Sequence, residues 1–401
     1  KTEEKKSPAA VHPPLGTSFS KNGFSIKLIT RKQNYSWRGR KTLDTNIYSP
    51  KSVNFHPKEN KFYVNSLEGG TTIVYDGDTR NLIKVIHHHF SKGSESLWAE
   101  PSGLYTFRHR RKDSLYFTGK PVESTFSHSG RYLWVPYYRR SFDLNAQEPS
   151  AVAVIDTRND TIIKLFETGP LPKMVATSAD GANVAITHWG DNTVGIIDIS
   201  SADPGQWHYS GCYTVEYKLN LDFPRDKMVN RDSRSGYCLR GTVFTPDNRF
   251  LLVGCMGQNG GIAVIDVENG KYLGRVMGSM PNLRHLIIDH GYVYAAINNA
   301  GYIQKTPLAK FYECIYSLSG ENKKNSCWQN CKVPSGVRTI VPSPDGKYIF
   351  ATCNSSSCIS IVNAESMTLV GTIPADSYPV GLDLSNDGRL LISTSQGKNR
   401  T

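Results

Sequence analysis

Short apolar segments alternate with turn-forming residues along almost the whole chain. In the clearest stretch, residues 335–373, the apolar segments are 337–341, 348–353, 358–363 and 368–373. They are separated by Pro-Asp-Gly, Asn-Ser-Ser-Ser and Ala-Glu-Ser, which favour tight turns because Asp, Asn and Ser bond their own backbone and Gly accepts a positive φ. The pattern predicts a unit of four short strands whose apolar face one unit cannot bury alone.

This unit recurs along the chain. The first strand of each copy begins at an anchor residue, and the anchors are Pro50, Pro121, Pro172, Leu239, Leu283, Val337 and Pro379. They lie 42 to 71 residues apart, and the shortest spacings match the roughly 40–45 residues of a four-stranded propeller blade. The repeat predicts an all-β fold, a seven-bladed β-propeller of four-stranded antiparallel blades, in which the longer spacings contain insertions.

The two ends of the chain predict how the ring closes. Residues 1–23 are charged and then Pro-rich, which is typical of a linker or tether. Residues 24–30 and 42–48 are strand candidates, whereas only two strands fit after residue 379. We expect residues 24–48 to supply the strands that complete the last blade, because propellers avoid open sheet edges, so that 24–401 form one propeller domain.

One sequence motif resembles a known repeat. The pattern Pro-x-Gly-hydrophobic-x-hydrophobic-Ser-x-Asp-Gly-Arg, clearest at residues 379–389, resembles the YVTN repeat of bacterial propellers, the surface-layer-like and YncE-like proteins. The similarity extends from about residue 50 to the C-terminus. It implies a propeller exported to the periplasm, outer membrane or cell surface, with single-stranded nucleic acid as a further ligand. It does not assign an activity, because propellers include scaffolds, binding modules and enzymes.

Charge and composition narrow the class of partner. The formal net charge is +12 and the pI is about 9.2, which favours acidic proteins, nucleic acid or lipid headgroups. No run of about 18 apolar residues is present, so we expect no transmembrane segment. The sequence starts at Lys1 without Met, from which we expect a processed N-terminus.

Long insertions predict a working face. Residues 91–120, 222–238 and 318–335 join successive blades, and residues 136–150 join the second and third strands of the second blade. In an antiparallel blade these two kinds of connection lie on the same face. The three insertions that join blades contain more Lys and Arg than Asp and Glu. We therefore predict a basic, loop-rich face that binds a partner.

The residue after each anchor adds to this charge. Five of the seven equivalent positions are basic, namely Lys51, Lys173, Arg240, Arg284 and Arg338. Because the repeat makes them equivalent, we expect a partial ring of cations around the channel mouth that attracts an anion or an acidic surface. In the alternative interpretation each cation pairs with a carboxylate, and Glu123 and Asp383 are the candidate partners.

Aromatic and basic residues near the same face are further candidates for partner binding. They are Tyr137, Tyr138, Arg139, Arg140 and Trp189. Aromatic rings beside cations stack on bases, sugars or peptides, but they also pack loops onto a scaffold.

The cysteines suggest a compartment. All eight lie in the second half of the chain, and none has zinc-site spacing, so we predict no metal site. Disulfide candidates are Cys353 with Cys358, Cys212 with Cys238, and Cys314 with Cys327 or Cys331. Disulfides would place the protein in an oxidising compartment, whereas buried free thiols are the alternative.

No enzymatic motif stands out. The chain has no nucleophile elbow, no His-Glu-x-x-His and no phosphate-binding Gly loop, and no cofactor is implied. Lactonases and lyases on similar propellers use metal-binding groups in the funnel, where only Glu123 and His285 could contribute here. The sequence favours a non-catalytic, exported scaffold that holds a protein partner on its basic face. The alternatives are binding of single-stranded nucleic acid and, less favoured, a lactonase or lyase.

Overall fold

A computed structural model describes residues 10–34, 43–108 and 114–397. Strands account for 48% of the structure and helices for 7%, and the strands form an all-β propeller with six blades. None of the helices in these three ranges is long and apolar enough to cross a membrane.

The strands follow one another along the chain in nearly regular groups of four. An N-terminal hairpin consists of β1 (Ser18–Lys21) and β2 (Phe24–Lys27). Blade 1 consists of β3 (Pro50–Phe55), β4 (Lys61–Ser66), β5 (Thr71–Asp76) and β6 (Leu82–His87). Blade 2 consists of β7 (His89–Phe90), β8 (Phe117–Pro121), β9 (Thr125–Ser127), β10 (Tyr132–Arg140), β11 (Ser150–Asp156) and β12 (Thr161–Thr168). Blade 3 consists of β13 (Pro172–Thr177), β14 (Asn183–His188), β15 (Thr193–Asp198) and β16 (His208–Thr214).

The second half of the chain continues the pattern with one helix. Blade 4 consists of β17 (Leu239–Phe244), β18 (Phe250–Cys255), β19 (Ile262–Asp266) and β20 (Lys271–Met277), with β24 (Lys323–Lys324) added in parallel. Blade 5 consists of β21 (Leu283–Asp289), β22 (Tyr292–Ile297), β23 (Tyr302–Pro307) and β25 (Gln329–Lys332), with helix α1 (Leu308–Tyr316) between the last two strands. Blade 6 consists of β26 (Val337–Pro342), β27 (Tyr348–Cys353), β28 (Cys358–Asn363) and β29 (Thr368–Pro374). A two-stranded sheet follows, formed by β30 (Pro379–Leu384) and β31 (Leu391–Ser395).

The core lies between neighbouring sheets. Each blade presents one apolar face to the blade before it and one to the blade after it, so its middle strands are buried on both sides; all seven residues of β11 are buried. Phe250 and Leu252 of blade 4, for example, pack with Leu286 and Val293 of blade 5. This double burial explains why the third strands are nearly continuous apolar segments rather than alternating ones.

The two-stranded sheet lies where the ends of the ring meet, since β30 packs against both β26 and β3. The prediction that N-terminal strands extend this sheet is wrong for the described residues, because β1 and β2 pair only with each other. The hairpin instead packs its apolar side chains over blade 6 and β31. The ring of Phe19 lies against Gly371 so closely that a Cβ there would collide with it, and Phe24 contacts Tyr348 and Phe350.

The segments on either side of the hairpin also differ from the prediction. The proposed linker, residues 1–23, contains β1, and Val11 forms a hydrogen bond with Ser377; residues 1–9 lie outside the described part. The second closing strand was expected at 42–48, where residue 42 is not described. Residues 43–48 form only an isolated bridge, although Ile47 packs into the core of blade 1.

Three of the four predicted insertions need correction. The insertion predicted at 91–120 is shorter, since β8 begins at Phe117. Residues 318–335 are not a loop of the working face, because they contain β24 and β25, and β25 is the outer strand of blade 5. The loop predicted at 136–150 is shorter, since β10 continues to Arg140. Arg140 forms hydrogen bonds to the carbonyls of Ser114 and Ser150, which hold the end of this strand in place.

The structure has none of the predicted disulfides, and all eight cysteines are free thiols. Cys353 and Cys358 lie opposite each other across β27 and β28. Cys331 is buried in the core between blades 5 and 6, whereas Cys314 lies on α1 within electrostatic reach of Cys327. The disulfide candidates, none of which is bonded in this structure, stay a prediction from the sequence: Cys212, Cys238, Cys314, Cys327, Cys331, Cys353 and Cys358.

Candidate functional site

The second residue of each first strand occupies a special backbone position. In β3, β13, β17, β21, β26 and β30 the pairing register shifts next to this residue, so that the strand carries one residue more than its partner. Such a bulge breaks the strict alternation of a strand and re-aims a side chain. The bulges lie at the inner strands of the ring, where a re-aimed side chain faces the centre.

Five of these positions carry a cation, and the structure brings the cations together. We use the name central cluster for Lys51, Lys173, Arg240, Arg284 and Arg338 together with Glu123. Besides burial, the charges of Arg240, Arg284 and Arg338, from blades 4, 5 and 6, lower the pKa of Lys51. Burial and the charges of Arg240 and Arg284 likewise lower the pKa of Lys173. The side chains that the sequence analysis considered equivalent therefore lie within electrostatic reach of one another.

Glu123 is the carboxylate inside this cluster. It lies in the break between β8 and β9, and its Oε1 accepts a hydrogen bond from Nη2 of Arg240 at 3.0 Å. Burial raises the pKa of Glu123, and Arg240 and Lys51 oppose this change. Asp383, the other predicted partner, is instead occupied by the backbone N–H of Phe55 at 2.7 Å. Of the two carboxylates suggested by the sequence, only Glu123 neutralises the cations.

Each guanidinium group of the cluster has a nitrogen without a hydrogen-bond partner among the described residues. Nη1 of Arg240, Nε of Arg284 and Nε of Arg338 are buried and donate to no protein group in the described part of the chain. The contacts that Arg284 and Arg338 do form are long, 3.9 Å from Arg284 to the sulfur of Met256 and 3.5 Å from Arg338 to Oδ1 of Asn354. Because a buried donor without an acceptor costs about 1–3 kcal/mol, these arginines are held at a cost to stability.

The pKa values of most lysines and arginines in the central cluster are lowered by burial and by their close spacing. Burial and the neighbouring arginines lower the pKa of Lys51 and that of Lys173 well below the usual value. The pKa of Arg284 also falls well below its usual value, and the pKa of Arg338 falls to about 10. In each case burial is the largest cause, and repulsion from Arg240 adds to it. The site is therefore a region of concentrated and poorly compensated positive charge.

Two loops meet beside the cluster. We call the side of the propeller that carries the blade-joining connections and the connections between second and third strands the loop face. Here residues 141–149 and 215–238 form what we call the loop platform. The side-chain amide of Asn145 donates to the carbonyls of Pro224 and Lys227, at 2.6 and 2.9 Å. Arg231 donates in return to the carbonyls of Asn145 and Ala146, so the two loops are locked into one surface.

The predicted aromatic and basic candidates fall into two groups. Tyr137 is completely buried and contacts His88, and Arg140 is enclosed by the rings of Trp98, Phe107, Phe117 and Phe142. These two side chains belong to the interior of blade 2 and are not part of the central cluster.

Trp189, Tyr138 and Arg139 lie closer to the cluster. The ammonium group of Lys173 lies 3.8 Å from the ring centre of Trp189 and 5.3 Å from that of Tyr138. Trp189 is itself buried, and Arg139 donates to the carbonyl of Leu144 at 2.7 Å, so both help to hold the loop face. The sequence reasoning missed Asp232 of the loop platform, which lies 3.9 Å from Lys173 and had no signal in the repeat.

Metal binding by this face gains no support from geometry. Among the residues that the structure describes, no group of three or more His, Cys, Asp or Glu side chains is arranged to hold a metal ion. His285 accepts a hydrogen bond from the backbone N–H of Ile340, and burial lowers its pKa to about 4.

Comparisons with known proteins identify the architecture. No protein-family model and no curated protein matches the chain. A chain of the hydrazine synthase of Kuenenia stuttgartiensis is similar in structure, with a TM-score of 0.59 and 15% identity over 88% of this chain and 94% of that one. A chain of the mitotic checkpoint complex is similar with a TM-score of 0.57 and 13% identity, over 88% and 87% of the two chains. At this level of identity the likeness shows the propeller fold alone.

Proposed function

We propose that this protein is a non-catalytic binding platform that holds an acidic protein partner on its loop face. The observation that carries the proposal is the convergence of five cations from five blades beside one internal carboxylate, on the face where the loop platform lies. The structural likeness to a chain of the mitotic checkpoint complex, a protein assembly by its title, is in keeping with such a role.

The two parts of the face have different tasks in this proposal. The uncompensated charge of the central cluster attracts an acidic surface and speeds encounter. The loop platform supplies the contact, with Arg225, Lys227 and Met228 exposed on it. Because these loops are already locked together, binding costs less ordering than it would for loose loops.

Single-stranded nucleic acid is a weaker candidate on this face. Sequence-tolerant binding of a single strand depends on exposed rings that stack on bases. Tyr137 and Trp189, which the sequence suggested for this purpose, are buried. Cations remain available for phosphates, so nucleic acid is an outcome that the test must recognise.

We also propose the finer assignments that the sequence suggested. The first is that the two-stranded sheet β30–β31 is a seventh blade. The second is that the repeat belongs to the YVTN type. The third is that the protein binds its partner at the cell envelope or surface. Fractionation of the native cells tests the last point, since recovery in the cytoplasmic fraction would overturn it.

The experiment compares two charge-reversed variants in affinity capture from the native cells. In the first, Arg225→Glu is combined with Lys227→Glu on the loop platform. In the second, Lys58→Glu is combined with Lys347→Glu; these are exposed lysines in turns between first and second strands, on the opposite face. We expect one protein to be captured reproducibly by the wild type and the second variant, and at least ten-fold less by the first.

Salt and nuclease treatment complete the test. Capture of the protein should weaken as salt rises and should survive nuclease, because the contact is electrostatic and made to protein. Equal capture by both variants would contradict the loop platform as the binding surface. Recovery of nuclease-sensitive material in place of a protein would replace this proposal with nucleic-acid binding.

A further inference from the structure

We propose that the central cluster is a binding site for a compact multivalent oxyanion, a small molecule whose phosphate or carboxylate groups carry two or three negative charges. This goes beyond the proposed function, because the ligand is a small molecule inside the ring rather than a protein on its face.

Access limits the size of the ligand. Lys51 and Arg284 each retain 9% of their surface and Arg240 retains 4%. A flat protein surface resting on the loop face cannot reach side chains so deeply enclosed. A small molecule entering at the centre can reach them, because part of each side chain is still in contact with solvent.

Charge sets the valence of the ligand. The cluster contains five cations and Glu123, and Asp232 lies at its edge beside Lys173. Two carboxylates leave about three positive charges uncompensated when the lysines are protonated. Buried charge without a counter-charge is strongly unfavourable. A ligand with two or three negative charges would restore the balance, whereas one monovalent anion would leave most of the excess.

The unpaired donors indicate oxygen as the ligand atom. Arg240, Arg284 and Arg338 come from three successive blades, and each has a buried N–H with no acceptor among the described residues. Guanidinium groups form forked hydrogen bonds that match the spacing of carboxylate and phosphate oxygens. Donors that approach from three blades require acceptors that point in several directions, as the oxygens of a phosphate or polycarboxylate do.

The remaining positions argue against a purely structural role for the cations. The position after the anchor is Val122 in blade 2 and Val380 in β30, and both valines are buried. The bulge at Val380 is like those at the cationic positions. The local fold therefore accepts an apolar side chain here, and the cations are not needed to form the strand.

Titration calorimetry at low salt tests the site with three probes: inorganic phosphate, tripolyphosphate and citrate. We expect one ligand per chain, with tripolyphosphate or citrate binding more tightly than phosphate. Arg284→Met and Arg338→Met should each weaken binding at least ten-fold, because each removes a positive charge and the forked hydrogen bonds of a guanidinium group. Arg284→Lys should retain more affinity than Arg284→Met, since lysine keeps the positive charge but lacks the forked hydrogen bonds of arginine. The matched control is Arg158→Met, an exposed arginine paired with Asp156 on the opposite face, which should bind as the wild type does.

The probes and the control separate the outcomes. Preference for tripolyphosphate identifies a phosphate ligand, and preference for citrate identifies a polycarboxylate. The proposal is overturned if titration with sodium chloride at the same ionic strength gives the same binding signal as the probes. It is also overturned if Arg284→Met and Arg338→Met, shown to be folded by circular dichroism, bind the probes as tightly as the wild type. If the wild type binds none of the three probes but still captures its protein partner, this site alone is rejected and the proposed function stands.

Discussion

Two arginines with nearly the same burial lie in opposite surroundings. Arg275 in β20 is 8% exposed and Arg284 in β21 is 9% exposed. Arg275 pairs with Glu216 at 3.3 Å, donates to the carbonyl of Gly260 at 2.6 Å, and lies over the ring of Tyr237. Arg284 faces Arg240 and Arg338, and its Nε has no acceptor in the described part of the chain.

The two arginines differ in whether their hydrogen bonds are satisfied, and this difference indicates different roles. At the rim, Arg275 joins blade 4 to neighbouring segments and its hydrogen bonds are satisfied, so it contributes to folding. At the centre, Arg284 lies near other arginines and has a buried N–H without an acceptor among the described residues, which is a cost to stability. Groups held at a cost to stability are concentrated at functional sites. We therefore interpret the rim arginine as structural and the central one as functional.

The largest expected effect follows from removing the carboxylate of each region. Glu123→Gln should lower the free energy of unfolding by about 3–5 kcal/mol, because it leaves Arg240 and its neighbours without a buried counter-charge. Glu216→Gln should cost only about 1 kcal/mol, because Arg275 keeps the carbonyl of Gly260 and the ring of Tyr237. Urea denaturation measures both values. Equal losses of unfolding free energy in the two variants would mean that the charges at the centre are compensated as well as those at the rim.

A smaller loss is expected when the rim arginine itself is replaced. Arg275→Met should lower the free energy of unfolding by about 2 kcal/mol, because the carbonyl of Gly260 loses its side-chain donor and the carboxylate of Glu216 keeps only the hydroxyl of Tyr272. The same denaturation series supplies the measurement. A variant as stable as the wild type would remove the structural interpretation of Arg275 and with it the contrast between the two regions.

The smallest effect is a pH dependence specific to the centre. Because the pKa of Lys51 is lowered in the folded protein, the unfolded chain binds a proton there at pH values where the folded protein does not. The free energy of unfolding should therefore rise with pH between the lowered pKa and about 10.5, and this rise should be absent in Lys51→Met. Between pH 7 and 9.5 we expect the wild type to gain stability relative to that variant. A parallel pH response of the two proteins would contradict the crowding of Lys51.

Periodicity predicted the architecture because a propeller is built from local units. Turn residues and apolar segments specify each sheet, and stacking the sheets buries their faces, so the all-β propeller follows from the repeat. The contribution of the N-terminal hairpin did not follow, because covering an edge by side-chain packing and extending it by hydrogen bonds use similar apolar segments. Apolar residues such as Phe19 and Phe24 would be spaced in the same way along the sequence in either arrangement.

The site could be predicted in part for the same reason. Equivalence by repeat brought Lys51 and Arg284 to one place, but the bulges that aim them at the centre leave no mark on the apolar pattern. Tyr137 and Arg140 could not be assigned, since the extension of β10 and the aromatic cage of Arg140 depend on residues far away in sequence. Glu123 was named from the sequence, but only the structure shows which cation it contacts.

The most direct test of the central claim is the stability of the wild type and of Arg284→Met with and without tripolyphosphate. Without the anion we expect Arg284→Met to be more stable by about 1 kcal/mol, because an unpaired buried charge is removed. At about 100 times the wild-type dissociation constant of the anion the order should reverse, since the wild type gains roughly 2.7 kcal/mol and a variant that binds ten-fold more weakly gains only about 1.4 kcal/mol. A variant that is less stable than the wild type without the anion, and that gains as much from it, would contradict the account.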